Sequence, residues 1–226
     1  MEDRLSHDNV AWSFGGAAAF ATVDCMRDRT GELDDSGWHT WARDFVPASH
    51  RDLPMLRVYL PFIDVDGSFV RWSQYVDVEE YSASLSWFEA TRGLVEEHPG
   101  IDDLVSCMGQ PDESTAEALR DVIGDLQLRC LRWVGYGEVP AAPTVRVHGE
   151  DYFEADLVPA DIAAERRIPE FAWDADRRLA WGSRLYPDSL VIAAELSIFR
   201  QLRNDPRLDS VSVRVDRDEL PPSSGD

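Results

Sequence analysis

Short β-type runs closed by turn signals constrain this chain most. Met55 to Ile63 alternates as a strand, Asp64-Val65-Asp66-Gly67 supplies a turn, and Ser68 to Val78 returns with Phe69, Trp72 and Tyr75 among its large side chains. The pattern recurs further on. Val145 to His148 and Tyr152 to Leu157 flank a Gly149-Glu150 turn, Phe171-Ala172-Trp173 precedes Asp174-Ala175-Asp176, and Leu190 to Ala194 and Leu208 to Val215 read as further strands. Antiparallel pairing through hairpins is the economical way to join such runs.

Three segments read as helices. Ser86-Trp87-Phe88-Glu89 forms a capping box, followed by Phe88, Thr91, Leu94 and Val95 at helical spacing up to Pro99-Gly100. A longer helix is predicted from Pro111 to Val134, with Ala116, Leu119, Ile123, Leu126, Cys130 and Trp133 as its buried stripe, at a cost of roughly 1 kcal/mol for Gly124 against Ala. Glu195 to Asn204 is a short helix stopped by Asp205-Pro206. The predicted class is α+β, a mainly antiparallel sheet built from hairpins and packed against two central helices and one short C-terminal helix.

With 226 residues, 44% of them hydrophobic and including eight Trp and nine Phe, the chain can fill one large core. A single domain is expected over residues 1–215, with 1–54 partly loop-like and 216–226 a disordered acidic tail. Ala11 to Met26 is apolar and rich in Ala and Gly, and reads equally as a helix or a buried strand.

All the positive side chains are arginines: 22 Arg and no Lys stand against 43 acids, for a net charge of -21. Lysine-dependent chemistry, such as a Walker A loop, a pyridoxal Schiff base or a kinase core, is therefore excluded. Arginine interrupts the acids, as in Asp216-Arg217-Asp218-Glu219, so much of the charge reads as a solvated surface with local ion pairs. A field of this sign repels nucleic acid and anionic membranes and attracts basic proteins. Two readings account for the missing lysine: GC-rich coding, or selection against lysine modification or for mimicry of an acidic surface.

Cys25, Cys107 and Cys130 are odd in number and lack C-x-x-C spacing, which fits a reducing cytoplasm, and no signal peptide or membrane span is expected. His7, His39, His50, His98 and His148 are scattered, so neither a metal nor a cofactor is expected. Asp64-Val65-Asp66-Gly67 lacks the flanking ligands of a calcium loop, and His148-Gly149-Glu150 lacks the thiolates of a zinc deaminase. Gly135-Tyr136-Gly137 reads as the end of the long helix, because a dinucleotide fingerprint would follow a strand.

Aromatic residues beside arginines are the remaining signal, since Trp and Arg dominate interface hot spots. Trp72, Trp133, Trp173 and Trp181 lie near Arg71, Arg132, Arg177 and Arg178 in sequence. The four Trp residues, with Arg177, Arg178, Asp64, Asp66, Asp174 and Asp176, are the candidates for a partner-binding face. The alternative role for these Trp side chains is the core, with arginine stems lying over their rims.

Several segments together resemble a group of Streptomyces-type actinobacterial single-domain proteins with no established activity. The resemblance is carried by Leu56-Arg57-Val58-Tyr59-Leu60-Pro61, Cys130-Leu131-Arg132-Trp133-Val134-Gly135-Tyr136-Gly137, Trp173-Asp174-Ala175-Asp176-Arg177-Arg178 and Asn204-Asp205-Pro206-Arg207-Leu208-Asp209. It extends from about residue 55 to 215, and departs from the group at Leu131-Arg132, where aromatics are usual, and at Asp174, where proline is. It implies a single-domain layout and no mechanism.

The function expected from the sequence is that of a non-enzymatic, cytoplasmic, acidic binding protein of the immunity or inhibitor kind, engaging a basic protein. The alternative is a small-molecule enzyme or ligand-binding protein with a Trp- and Tyr-lined pocket and carboxylates for acid/base work.

Overall fold

The computed structural model describes residues 41–91, 94–137, 144–185, 187–215 and 217–221. The Ala11–Met26 segment, Trp38, Cys25, His7 and His39 lie outside them.

Eleven strands and three α-helices, β1 Met55–Tyr59, β2 Phe62–Ile63, β3 Phe69–Val70, α1 Trp87–Thr91, β4 Val105–Ser106, α2 Glu113–Ile123, β5 Leu128–Trp133, β6 Thr144–Val147, β7 Glu150–Leu157, β8 Phe171–Asp174, β9 Leu179–Gly182, β10 Ser189–Ala194, α3 Leu196–Asn204 and β11 Asp209–Val213, follow one another among the described residues. Eight strands form one sheet, ordered β11-β1-β10-β9-β8-β5-β7-β6, and β3-β2-β4 form a small second sheet. All neighbours pair antiparallel. The α+β class read from the sequence is the class observed.

Side-chain alternation divides the core into two layers, one on each face of the large sheet. Leu56, Val58, Cys130, Ala172, Trp181, Ile192 and Ala194 meet Ala116, Leu119 and Ile123 of α2 and Ile198 and Leu202 of α3. On the other face Met55, Leu131, Tyr152, Phe171, Trp173, Ala180, Val191 and Val213 lie under Ala42, Phe45, Val46, Ala83 and Leu220. With both faces covered, β1, β8 and β9 are buried at every position. At Gly182 the Phe45 carbonyl and Phe171 ring occupy the space a Cβ would need, which fixes how closely the 42–45 turn sits on the sheet.

Four sequence expectations are corrected. The helix from Pro111 starts as read, with Asp112 accepting the Thr115 N–H at 2.7 Å, but it ends at Ile123. Gly124 leaves it at φ 48° and ψ -116°, and Leu128 to Trp133 become the strand β5 at the middle of the sheet. Helical spacing was fulfilled by chance, because Cys130 faces one layer and Leu131 the other. Accordingly Gly135-Tyr136-Gly137 follows a strand and not a helix.

The long hairpin strands are also broken. β1 belongs to the large sheet, and only Phe62–Ile63 and Phe69–Val70 pair across the turn, after which Trp72–Gln74 winds into a 3-10 turn. The helix capped by Ser86 and Glu89 forms over Trp87–Thr91, with both reciprocal bonds present, but of its predicted apolar stripe only Thr91 is buried and Leu94 half-buried. Phe88 and Val95 are exposed, while Trp87 packs inward. Finally, residues 217–221 are packed and do not begin a loose tail: Ala42 N–H donates to the Asp218 carbonyl, and Leu220 is buried.

Residues 59–106 include a third cluster, made largely of aromatic rings. Trp72 is fully buried, donates its indole N–H to the Leu60 carbonyl at 2.9 Å, and lies 4.6 Å from the Tyr59 ring and 5.1 Å from the Phe62 ring. Trp87 covers Phe62 at 4.0 Å. This lobe is tied to the large sheet by Arg71, whose guanidinium grips Asp209 at 2.8 and 3.3 Å, and by Arg57, which donates to the Ala83 and Leu85 carbonyls at 2.9 and 2.7 Å.

Candidate functional site

The lobe concentrates charge on its outer surface. Between residues 61 and 110 the sequence carries ten acids, Asp64, Asp66, Asp77, Glu79, Glu80, Glu89, Glu96, Glu97, Asp102 and Asp103, against the two arginines Arg71 and Arg92. Arg71 is spent on Asp209, and Arg92 lies outside the described residues. Nine of the ten acids are exposed and Asp64 is half-buried.

Among the described residues none of these ten acids forms an ion pair. Elsewhere the arginines and acids neutralise one another: Arg177 with Asp52, Arg120 with Glu113, Arg129 with Glu154 and Asp156, Arg178 with Glu195, Arg207 with Asp121 and Asp205, and Arg214 with Asp218. Among the described residues the lobe is thus a segment whose acids carry no ion pairs. Apolar side chains stand among these carboxylates. Val65 is 77% exposed at the tip of the β2–β3 turn and Phe88 is 75% exposed on α1, with Val95 and Val105 also largely exposed.

The residues singled out from the sequence are dispersed. Trp72, Trp173 and Trp181 are core, and Trp181 gives its indole N–H to the Pro169 carbonyl at 3.0 Å. Trp133 is half-buried and donates to the Glu150 carboxylate at 3.0 Å. Asp174 is buried inside its turn, accepting the Arg178 and Leu179 N–H groups at 2.8 and 2.7 Å, with His50 Nε2 3.6 Å away. Arg177 and Arg178 reach solvent but are held by Asp52 and Glu195, and Asp176 is exposed. Asp64 accepts the Asp66 and Ser68 N–H groups and so closes its own turn, leaving Asp66 exposed at the tip. Of the ten candidates, only Asp64, Asp66 and Trp72 fall in the acidic lobe, and Trp72 supports it from beneath.

Sequence reasoning missed Phe88, Val65, Val95 and Val105 as surface residues, and missed the acids at 77, 89, 96, 97, 102 and 103. Counting charge by segment would have found the acids. It also missed Glu170, buried where β5 parts from β8. Burial raises its carboxyl above the ordinary range, partly offset by the Trp133 N–H, which donates to it at 3.0 Å, and by the neighbouring Tyr136 hydroxyl. The buried thiols of Cys107 and Cys130 are each pushed up to about 12 by desolvation, which leaves them inert.

No family model, no curated protein and no solved structure matches the chain. Among the described residues no helix is long and apolar enough to cross a membrane.

Proposed function

We propose that the chain is a non-enzymatic binding protein of the immunity or inhibitor kind, acting in the cytoplasm, that engages a basic protein through the lobe spanning residues 61–110. The observation carrying this reading is the set of exposed carboxylates that, among the described residues, form no ion pair, in the same segment as the exposed Phe88 and Val65. A field of one sign steers a basic partner into encounter, while a few desolvated apolar anchors supply affinity. The large sheet supports the lobe and is itself covered on both faces.

The small-molecule reading has less behind it. Among the described residues one cleft, lined by Phe45, Arg57, Arg184, Asp188 and Leu220, has a volume of about 10 Å³, the size of one water, and is itself too small for a substrate site of roughly 300–1,000 Å³.

The test is cross-linking of the full chain in cell extract, with the partner identified and then purified. A partner of net positive charge, linked to residues 64–105, supports the proposal. Its association should slow about tenfold or more as salt is raised from low to high ionic strength, and Phe88→Ser should mainly speed dissociation. An acidic partner, or binding indifferent to Glu79→Gln, Glu80→Gln, Glu96→Gln and Glu97→Gln together, would remove its basis. Membership of the Streptomyces-type group belongs to the same proposal and is tested by gene neighbourhood. A neighbouring gene for a basic toxin favours inhibition, and a biosynthetic cluster favours catalysis.

A further inference from the structure

The tip of the β2–β3 turn holds a reactive pair of residues in solvent. Asp66 is followed by Gly67, and of the fourteen glycines this is the one that follows an Asp or Asn. Both residues are exposed, and among the described residues the Asp66 carboxylate takes no hydrogen bond and no ion pair. Gly67 stands at φ 81° with open space where a Cβ would be, so no side chain shields its amide nitrogen from the carboxyl group before it. We infer that Asp66–Gly67 is a site of spontaneous isoaspartate formation, and that Asp64 sets its rate.

The chemistry needs only the chain and water. The Gly67 amide nitrogen attacks Asp66 Cγ, a C–N bond forms, and one carboxyl oxygen departs as water with the amide proton and the carboxyl proton. The product is a five-membered succinimide. Water then adds to one of its two carbonyls. Cleavage of the new Cγ–N bond restores Asp66, whereas cleavage of the original C–N bond leaves the main chain running through Cβ and Cγ with a free α-carboxylate, an isoaspartate. The water lost in the first step is regained in the second, so no oxidant or co-reactant enters.

Asp64 holds the reaction back. Its carboxylate accepts the Asp66 and Ser68 N–H groups at 3.0 and 2.8 Å, and its carbonyl accepts the Gly67 N–H at 3.0 Å, which engages the proton that ring closure must release. The clamp is shallow, because β2 and β3 pair over two residues each and positions 65–68 are all exposed. Opening of this turn alone strips nothing from the core. Asp188 and Asp209 also precede a small residue, Ser189 and Ser210, but both are buried at the starts of β10 and β11. Conversion at Asp66 keeps mass and charge, adds one carbon to the main chain of the turn, and shifts the carboxylate next to the exposed Val65. The site stands whether or not the lobe meets a basic protein.

The experiment incubates the folded full chain at neutral pH, in parallel with the same chain unfolded in guanidinium, and follows isoaspartate by enzymatic methylation and peptide mapping. In the folded chain residue 66 should convert within about tenfold of its unfolded rate, through an intermediate lighter by one water. Asp66→Glu should abolish the signal at this position, because closure to a six-membered ring is much slower. Asp64→Ala, with its fold checked by a thermal melt, should speed conversion about threefold or more. Conversion in the folded chain more than about tenfold below the unfolded rate, or a signal that persists in Asp66→Glu, would overturn the site. A rate unchanged in folded Asp64→Ala would overturn the role given to Asp64.

Discussion

Glu170 shows how one buried carboxyl couples this fold to pH. Its folded pKa is raised above the ordinary value by desolvation. A raised acid contributes its full stability below the unfolded pKa and loses it as pH climbs through the folded value. Glu170→Gln keeps an acceptor for the Trp133 N–H while removing the charge. The variant should therefore match the parent near pH 4 and melt at a higher temperature near pH 8, as thermal melts across that range would show. Equal melting temperatures at pH 8 would mean that the carboxylate is solvated there. Arg57 behaves oppositely. Its guanidinium is 1% exposed, holds the Ala83 and Leu85 carbonyls and the Ser189 hydroxyl, and lies 3.6 Å from Asp188. Arg57→Met orphans those acceptors and strands Asp188, and should cost about 3–5 kcal/mol in denaturant unfolding.

At the scale of elements, the decisive position is Gly124. If α2 continued through it, as its spacing suggests, Gly124→Ala would stabilise the protein by roughly 1 kcal/mol. The observed φ of 48° and ψ of -116° predict the reverse, a loss of about 1–3 kcal/mol measured by urea unfolding. A Cβ there would meet only the Asp121 carbonyl at an ordinary 3.7 Å, so the backbone alone sets the sign. This position also shows what the sequence could reveal. Asx and glycine turns act within a few residues, so the turns at Asp64 and Asp174 were legible, as was the Ser86 capping box, and the turn read at Gly149-Glu150 lies one residue earlier, at His148-Gly149. Leu126, Cys130 and Trp133 were not, because a strand buried on both faces loses its alternation and can satisfy helical spacing. Phe88 was misread for a related reason: apolar periodicity identifies a face without showing that anything covers it. The bond from Arg71 to Asp209 spans 138 residues and has no local signature at all.

For the whole molecule, the question is whether attraction or repulsion dominates its electrostatics. Exposed arginine pairs such as Arg177 with Asp52 contribute on the order of 0–1 kcal/mol each and weaken with salt. The Arg71–Asp209 and Arg57–Asp188 pairs are shielded by burial and respond less. Among the described residues the ten lobe carboxylates form no ion pair, so salt mainly relieves their repulsion, and the net charge of -21 acts in the same direction. Repulsion should therefore win. Raising sodium chloride from about 10 mM to about 500 mM, which shortens the screening length from roughly 30 Å to a few ångströms, should raise the melting temperature. For a domain of this size a gain of about 1 kcal/mol appears as roughly 2–4 °C. Glu79→Gln, Glu80→Gln, Glu96→Gln and Glu97→Gln combined should raise the low-salt melting temperature and flatten the salt dependence. If the parent instead melted lower at high salt, arginine pairing would outweigh the repulsion, and the lobe would carry no electrostatic strain for a basic partner to relieve.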